Sequence, residues 1–152
     1  MLSTKLLRLA TSVAVVGLVG LSSGLVDVTP ASAAPTPRLF VTPYLNLHNG
    51  ERVAVRGNGY TPGITVYVVE CLVSAKGANS CNILHAVPAT ITKTGLLPRT
   101  FFTVSTGKVG TGKSARYCGT NAHNLKLCDV SAGNATGSDS AIKPIVFRSV
   151  KK

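Results

Sequence analysis

From Leu39 onward the apolar residues fall in short runs that alternate with polar residues at a period of two, and glycine, proline or asparagine separates one run from the next. Alternation at that period sends successive side chains to opposite faces of an extended backbone, so it calls for strands with one buried face. The candidate strands are Leu39 to Thr42, Arg52 to Arg56, Thr65 to Leu72, Ala89 to Thr92, Arg99 to Val104, Ala115 to Cys118 and Ile142 to Phe147. Turn signals stand between them at Asn49-Gly50, Gly57-Asn58-Gly59, Pro62-Gly63, Thr94-Gly95 and Gly107 to Gly112. No stretch after residue 34 joins a 3.6-residue apolar period to a helix cap. Seven short strands in about 110 residues predict an all-β, immunoglobulin-like antiparallel sandwich, although no Cys-Trp-Cys arrangement marks it as an antibody-type domain. Pro144 cannot donate to a ladder and points to an edge strand or a bulge there.

The segment before this pattern reads as an address. Lys5 and Arg8 precede an apolar stretch from Leu9 to Leu25, and Ala31-Ser32-Ala33 offers small residues where a signal peptidase cuts. Residues 1–33 are therefore expected to be a secretory signal peptide, and 34–152 a single domain outside the cell, monomeric and without a membrane span. Of the 152 residues 45% are hydrophobic, enough to build a core, while 16 lysines and arginines face 5 acids. Removing residues 1–33 takes away Lys5, Arg8 and Asp27 and leaves fourteen basic against four acidic residues, a net charge of +10. Weak, salt-sensitive binding to DNA or other polyanions is expected from that charge. A specific nucleic-acid reader is not, because the basic residues are spread over the strands and loops and the aromatics, 5% of the chain, are not interleaved with them as in a stacking platform.

Export bears on the four cysteines, since an oxidising compartment favours disulfides. Cys71 and Cys81 are ten apart, as are Cys118 and Cys128, and none of the CxxC spacings of zinc sites occurs, so no metal is expected. Three connectivities are open; the two local pairs, Cys71 with Cys81 and Cys118 with Cys128, would each close one short loop.

Motifs for chemistry are thin. Gly107 to Ser114 matches the written P-loop pattern, but a nucleotide loop needs a parallel strand before it and a helix after it, and here a strand follows. A glycine-rich hairpin with two solvated lysines is the expectation. The acids Glu51, Glu70, Asp129 and Asp139 form no evident pair, His48, His85 and His123 stand alone in loops, and no nucleophile has a base beside it, so no catalytic residue is expected. Asn134-Ala135-Thr136 is a glycosylation sequon, relevant only where the organism has that machinery.

The ordered set of residues resembles a known family. Ala33-Ala34-Pro35-Thr36, Val41-Thr42-Pro43 and Leu47-His48-Asn49-Gly50 are similar to the opening of the neocarzinostatin family of secreted actinobacterial chromoproteins. Val53-Ala54-Val55-Arg56-Gly57-Asn58-Gly59, then Gly63 and Val68-Val69-Glu70-Cys71, look like its Val-x-Val-x-Gly-x-Gly…Gly…Cys run. Cys81-Asn82, Gly95, Phe102-Thr103-Val104, Cys118, Cys128, Ala132-Gly133-Asn134 and Ile145-Val146-Phe147 follow in order.

The resemblance implies a seven-stranded immunoglobulin-like sandwich with two short-range disulfides, the Cys71–Cys81 bridge lying at the floor of a cleft between the sandwich and a hairpin. It also implies a non-covalent enediyne-type chromophore in that cleft, shielded from water, through which the carriers act on DNA and bacteria, and no intrinsic cofactor or catalytic residue. By position, Val73, Ala86, Val104 and Asp129 would face the cleft. Three features set the chain apart from the carriers: a shorter hairpin with Gly107, Gly110 and Gly112, a longer loop from Cys118 to Cys128, and the excess positive charge. They motivate the alternative of a chromophore-free cationic module that binds cell-wall or other polyanions.

Overall fold

The computed structural model describes residues 35–73 and 77–149; the expected signal peptide, residues 1–33, lies outside them. Among the described residues nine strands follow in order: β1 Arg38–Thr42, β2 Arg52–Asn58, β3 Thr65–Leu72, β4 Val87–Thr90, β5 Leu97–Thr103, β6 Gly107–Val109, β7 Arg116–Cys118, β8 Cys128–Gly133 and β9 Ser140–Pro144. Helical structure among the described residues is limited to three single turns, at Ala78–Ser80, Ile83–His85 and Gly112–Ser114.

Seven strands build the sandwich. One sheet has the order β1-β2-β5 and the other β4-β3-β8-β9, every pairing antiparallel, while β6 and β7 form a separate hairpin. Alternation fixes which side chains meet between the sheets. Leu39 and Val41 of β1, Val53 and Val55 of β2 and Phe102 of β5 turn inward from one side, against Val66, Val68, Val130 and Ala132 from the other, all nearly inaccessible to water. Leu47, Tyr60, Ile145 and Phe147 close the ends of this core. The Tyr60 phenol donates to the Ala132 carbonyl at 3.3 Å, and burial, then the Asp139 carboxylate, push its pKa up to about 12.

The strand expectations needed two additions. β6 is too short to show a period. β8 is the more telling omission, because it lies inside the four-stranded sheet, paired with β3 on one side and β9 on the other. Its sequence does alternate, with Cys128, Val130 and Ala132 buried, but the Asp129, Ser131 and Gly133 that follow each of them are poor strand formers and read as loop. Tertiary pairing on both edges outweighs that weak propensity. Pro144 is the last residue of β9, an edge strand, where its missing N–H leaves no ladder bond unmade.

Gly107 to Ser114 forms β6 and a single turn of an antiparallel hairpin, with Gly107 opposite Cys118 and Val109 opposite Arg116, and both lysines exposed. The hairpin is anchored. Val109 is buried in the core, and the Thr111 N–H donates to the Asn79 carbonyl at 2.7 Å. Gly110, at φ +84°, lets the chains meet, since a Cβ there would lie 2.7 Å from the same carbonyl.

Candidate functional site

The C-terminal end of β3 carries the functional candidates. The β3 side chains Val66, Val68, Glu70 and Leu72 share the inward face, so the fifth position after Thr65 sends a carboxylate where the pattern calls for an apolar residue. Cys71, on the opposite face, bonds to Cys81 and folds residues 77–81 back over the strand end, and the Asn82 N–H then donates to the Glu70 carbonyl at 2.8 Å. The second bridge joins Cys118 to Cys128, tying β7 to the start of β8. The two local pairings left open among three connectivities are thus the ones formed, and no described cysteine is free.

Glu70 is 1% exposed. Its Oε2 accepts hydrogen bonds from the Ser105 N–H at 3.1 Å and the Ser105 hydroxyl at 3.4 Å, whereas Oε1 is buried with no partner. Burial raises its pKa most, the Ser105 bonds lower it, and the nearby Asp129 charge raises it again, giving about 7. Asp129 is opposite Cys71 in the register of β3 and β8; it too is buried, its Oδ1 has no partner, and burial pushes its pKa up to about 6. The Glu70 carboxylate also lies within 4.8 Å of the Cys118 and Cys128 sulfurs. Those sulfurs are bonded to each other, so the trio offers a cation a single ligand and makes no metal site.

A cavity of about 280 Å³ opens beside this carboxylate, lined by Glu70, Asn82, His85, Phe102, Thr103 and Ser105. The adjoining turn presents Ile83 and Leu84 to solvent, Leu84 at 91% exposure. A larger hollow of about 470 Å³ lies at the other end of β3, bordered by Pro35, Pro37, Tyr60, Pro62, Ile64 and Asp139. Its carboxylate is already committed: Asp139 Oδ2 accepts the Thr61 N–H at 2.8 Å and ties the β2–β3 loop to the β8–β9 loop. Of the two carboxylates with a buried, unpartnered oxygen, Glu70 lines the smaller cavity and neither lines the larger, so the smaller one is the candidate ligand site.

The four residues expected to face a cleft are dispersed. Val104 continues the inward series of β5 after Phe102 and is completely buried in the core, with its backbone paired to Gly50 and Glu51. Asp129 is buried beside Cys71, Ala86 follows His85, and Val73 donates its N–H to the Leu127 carbonyl at 2.9 Å. None of the four lines the 280 Å³ cavity. Sequence reasoning passed over Glu70 and His85 as site residues; the signal for Glu70 was a charge at an inward position of an otherwise apolar alternation. The Ser105 hydroxyl donates to the Glu70 carboxylate at 3.4 Å.

A disulfide-stapled immunoglobulin-like sandwich, with a hairpin latched to its first bridge and a hollow walled by a buried, half-satisfied carboxylate, is the architecture of a small binding protein. The chain belongs to the neocarzinostatin family, whose sequence profile matches residues 39–147. It is 32% identical over 122 residues to macromomycin of Streptomyces macromomyceticus, an alignment spanning 80% of this chain and 82% of that protein. The solved structure of macromomycin superposes with a TM-score of 0.59 at 26% identity, covering 74% of this chain and all of that one (100%). The solution structure of apokedarcidin matches at a TM-score of 0.50 and 24% identity, over 74% of this chain and 99% of its own, a likeness of fold. No helix among the described residues is long and apolar enough to cross a membrane.

Proposed function

We propose that this protein is a secreted carrier that binds and shields a small, mostly apolar ligand of the enediyne-chromophore type without covalent attachment, and that antibacterial and DNA-directed action is exerted through that ligand. The observation that carries the reading is the cavity of about 280 Å³ walled by Glu70, whose Oε1 is a buried acceptor without a partner. Unmet buried acceptors are rare because each costs about 1 to 3 kcal/mol, and a ligand donor would satisfy this one. Exposed Ile83 and Leu84 give such a ligand apolar surface at the rim. Asp129, Ala86 and Val73 border the bridge in this reading, with Val104 supporting them from the core. No residue of the protein performs a reaction; its task is to exclude water and thiols from a reactive molecule.

The test is to recover the protein, protected from light, from the medium of its own culture and to record its absorption together with the mass of extracted organics. A bound polyunsaturated molecule, retained less well by Glu70→Ala, is the expected result. A colourless protein with nothing extractable overturns it. One observation favours a second reading, a ligand-free cationic module for cell-wall or other polyanions: the hairpin tip is hydrogen-bonded to the 78–81 segment, which draws together the two sides of the family's cleft. A colourless preparation that binds heparin with steep salt dependence supports that alternative.

A further inference from the structure

The outward face of the β1-β2-β5 sheet gathers charge and rings that are scattered along the chain. Strand alternation points Arg38 and Phe40 of β1, Arg52 and Arg56 of β2, and Arg99 and Phe101 of β5 away from the core, and all six are exposed. The register brings them together. Phe40 pairs with Arg56, Phe101 pairs with Ala54 next along β2 to Arg52, and the irregularity between Val55 and Gly57 sets Arg56 against the stretch carrying Arg99. The Arg52 guanidinium stands 4.1 Å from the centre of the Phe101 ring and that of Arg99 4.9 Å from it. Phe101 nevertheless keeps 42% of its surface exposed and Phe40 keeps 53%. The small, half-buried Ala54, flanked by Thr42 and Phe101, leaves a low point in the middle.

Among the described residues no carboxylate is exposed on this face. Of the acids in the described residues, Glu70, Asp129 and Asp139 are buried, and the Glu51 carboxylate accepts the His48 N–H in the loop before β2. Arg38, Arg52, Arg56 and Arg99, spread over three adjacent strands, thus form a cationic surface that holds two exposed rings.

We propose that this face is a platform for single-stranded nucleic acid, the arginines holding phosphates and Phe40 and Phe101 stacking on bases. Charge complementarity selects a polyanion, and the rings select among polyanions, because only a nucleic acid brings π-faces to meet them. A flat sheet face cannot stack on bases still paired inside a duplex, so the strand must be single. Nothing on the face is arranged to read base edges as a recognition helix does, so binding is indifferent to sequence. The inference stands apart from the carrier reading and holds whether or not the cavity is filled. It goes beyond general attraction to polyanions by requiring the rings.

The test is fluorescence anisotropy of a labelled oligo-dT with the purified protein, with inorganic polyphosphate, heparin and a duplex of equal length as comparisons. Oligo-dT should bind with a log–log salt slope of about −2 to −3, since each phosphate engaged on a single strand contributes about −0.7. The double variant Arg52→Ala/Arg56→Ala should flatten that slope by about 1.4 and weaken every polyanion. Phe40→Ala should weaken oligo-dT about tenfold and leave polyphosphate and heparin unchanged. Lys108→Gln/Lys113→Gln, on the hairpin, should alter none of these, and an unchanged thermal midpoint certifies each variant as folded. Oligo-dT binding indifferent to Phe40→Ala, or a duplex bound more tightly than the single strand, overturns the proposal in favour of a plain electrostatic surface.

Discussion

Replacing Glu70 by glutamine should make the protein more stable at neutral and alkaline pH. In the folded chain the carboxyl titrates at about 7, against an ordinary 4.5, chiefly because burial penalises its charged form. A folded-state pKa above the unfolded one means that the native protein holds the proton more tightly, so below pH 4.5 the group costs nothing. As pH rises from 4.5 to 7, stability is lost by about 1.4 kcal/mol per unit, and above 7 the loss levels off at on the order of 3 kcal/mol. Glutamine removes the charge while its carbonyl can still accept from Ser105. Its amide N–H₂, standing where Oε1 has no partner, gives back about 1 to 2 kcal/mol at every pH. The variant should therefore fall below the parent by about 1 to 2 kcal/mol at pH 4 and exceed it by about 1 to 2 kcal/mol at pH 8. Urea unfolding with the disulfides intact, repeated from pH 4 to 8, measures the difference. Asp129, whose pKa is also raised, to about 6, makes both proteins lose stability over a lower range, and its charge is part of what raises Glu70. Parallel pH profiles for parent and variant would show that Glu70 is not a buried charge in the folded chain, and the argument for an unmet acceptor in the cavity would fall with it.

Other outcomes follow from single contacts. Cys71→Ser/Cys81→Ser opens a ten-residue separation and should cost about 2 to 3 kcal/mol in urea unfolding, while a thiol assay on the parent should find no free cysteine. Gly95→Ala forces a side chain onto φ +75° with its Cβ 2.7 Å from the Tyr60 carbonyl; the same assay should show a loss of more than about 2 kcal/mol. Gly110→Ala should push the hairpin tip off the Asn79 carbonyl, seen as faster hydrogen exchange at the Thr111 amide with the exchange of Val55 in the core unchanged.

Much of this architecture was legible from period and punctuation. The inward valines of β2 and β3 are those that a two-residue alternation picks out, and the Thr94-Gly95 turn carries the positive φ that its glycine allows. β8 was not legible, because Asp129, Ser131 and Gly133 hide its alternation until β3 and β9 pair with it from both sides. Val104, expected by family position at a cleft, is fully buried as the next inward residue after Phe102. The aromatic and basic residues looked unrelated in the chain, yet Phe40 and Phe101, with β2 between them, share one face with four arginines.

The chain by itself thus determined what depends on neighbours in sequence: the strands with a clear period, the turns between them, and cysteines close enough to close local loops. Only the tertiary structure decided what depends on partners far away, namely which strands lie side by side, which hollow receives the Glu70 carboxylate, and which charges stand together. The physical reason is that side-chain alternation is set by the backbone one residue at a time, whereas strand order and register are set by burying two distant apolar faces against each other.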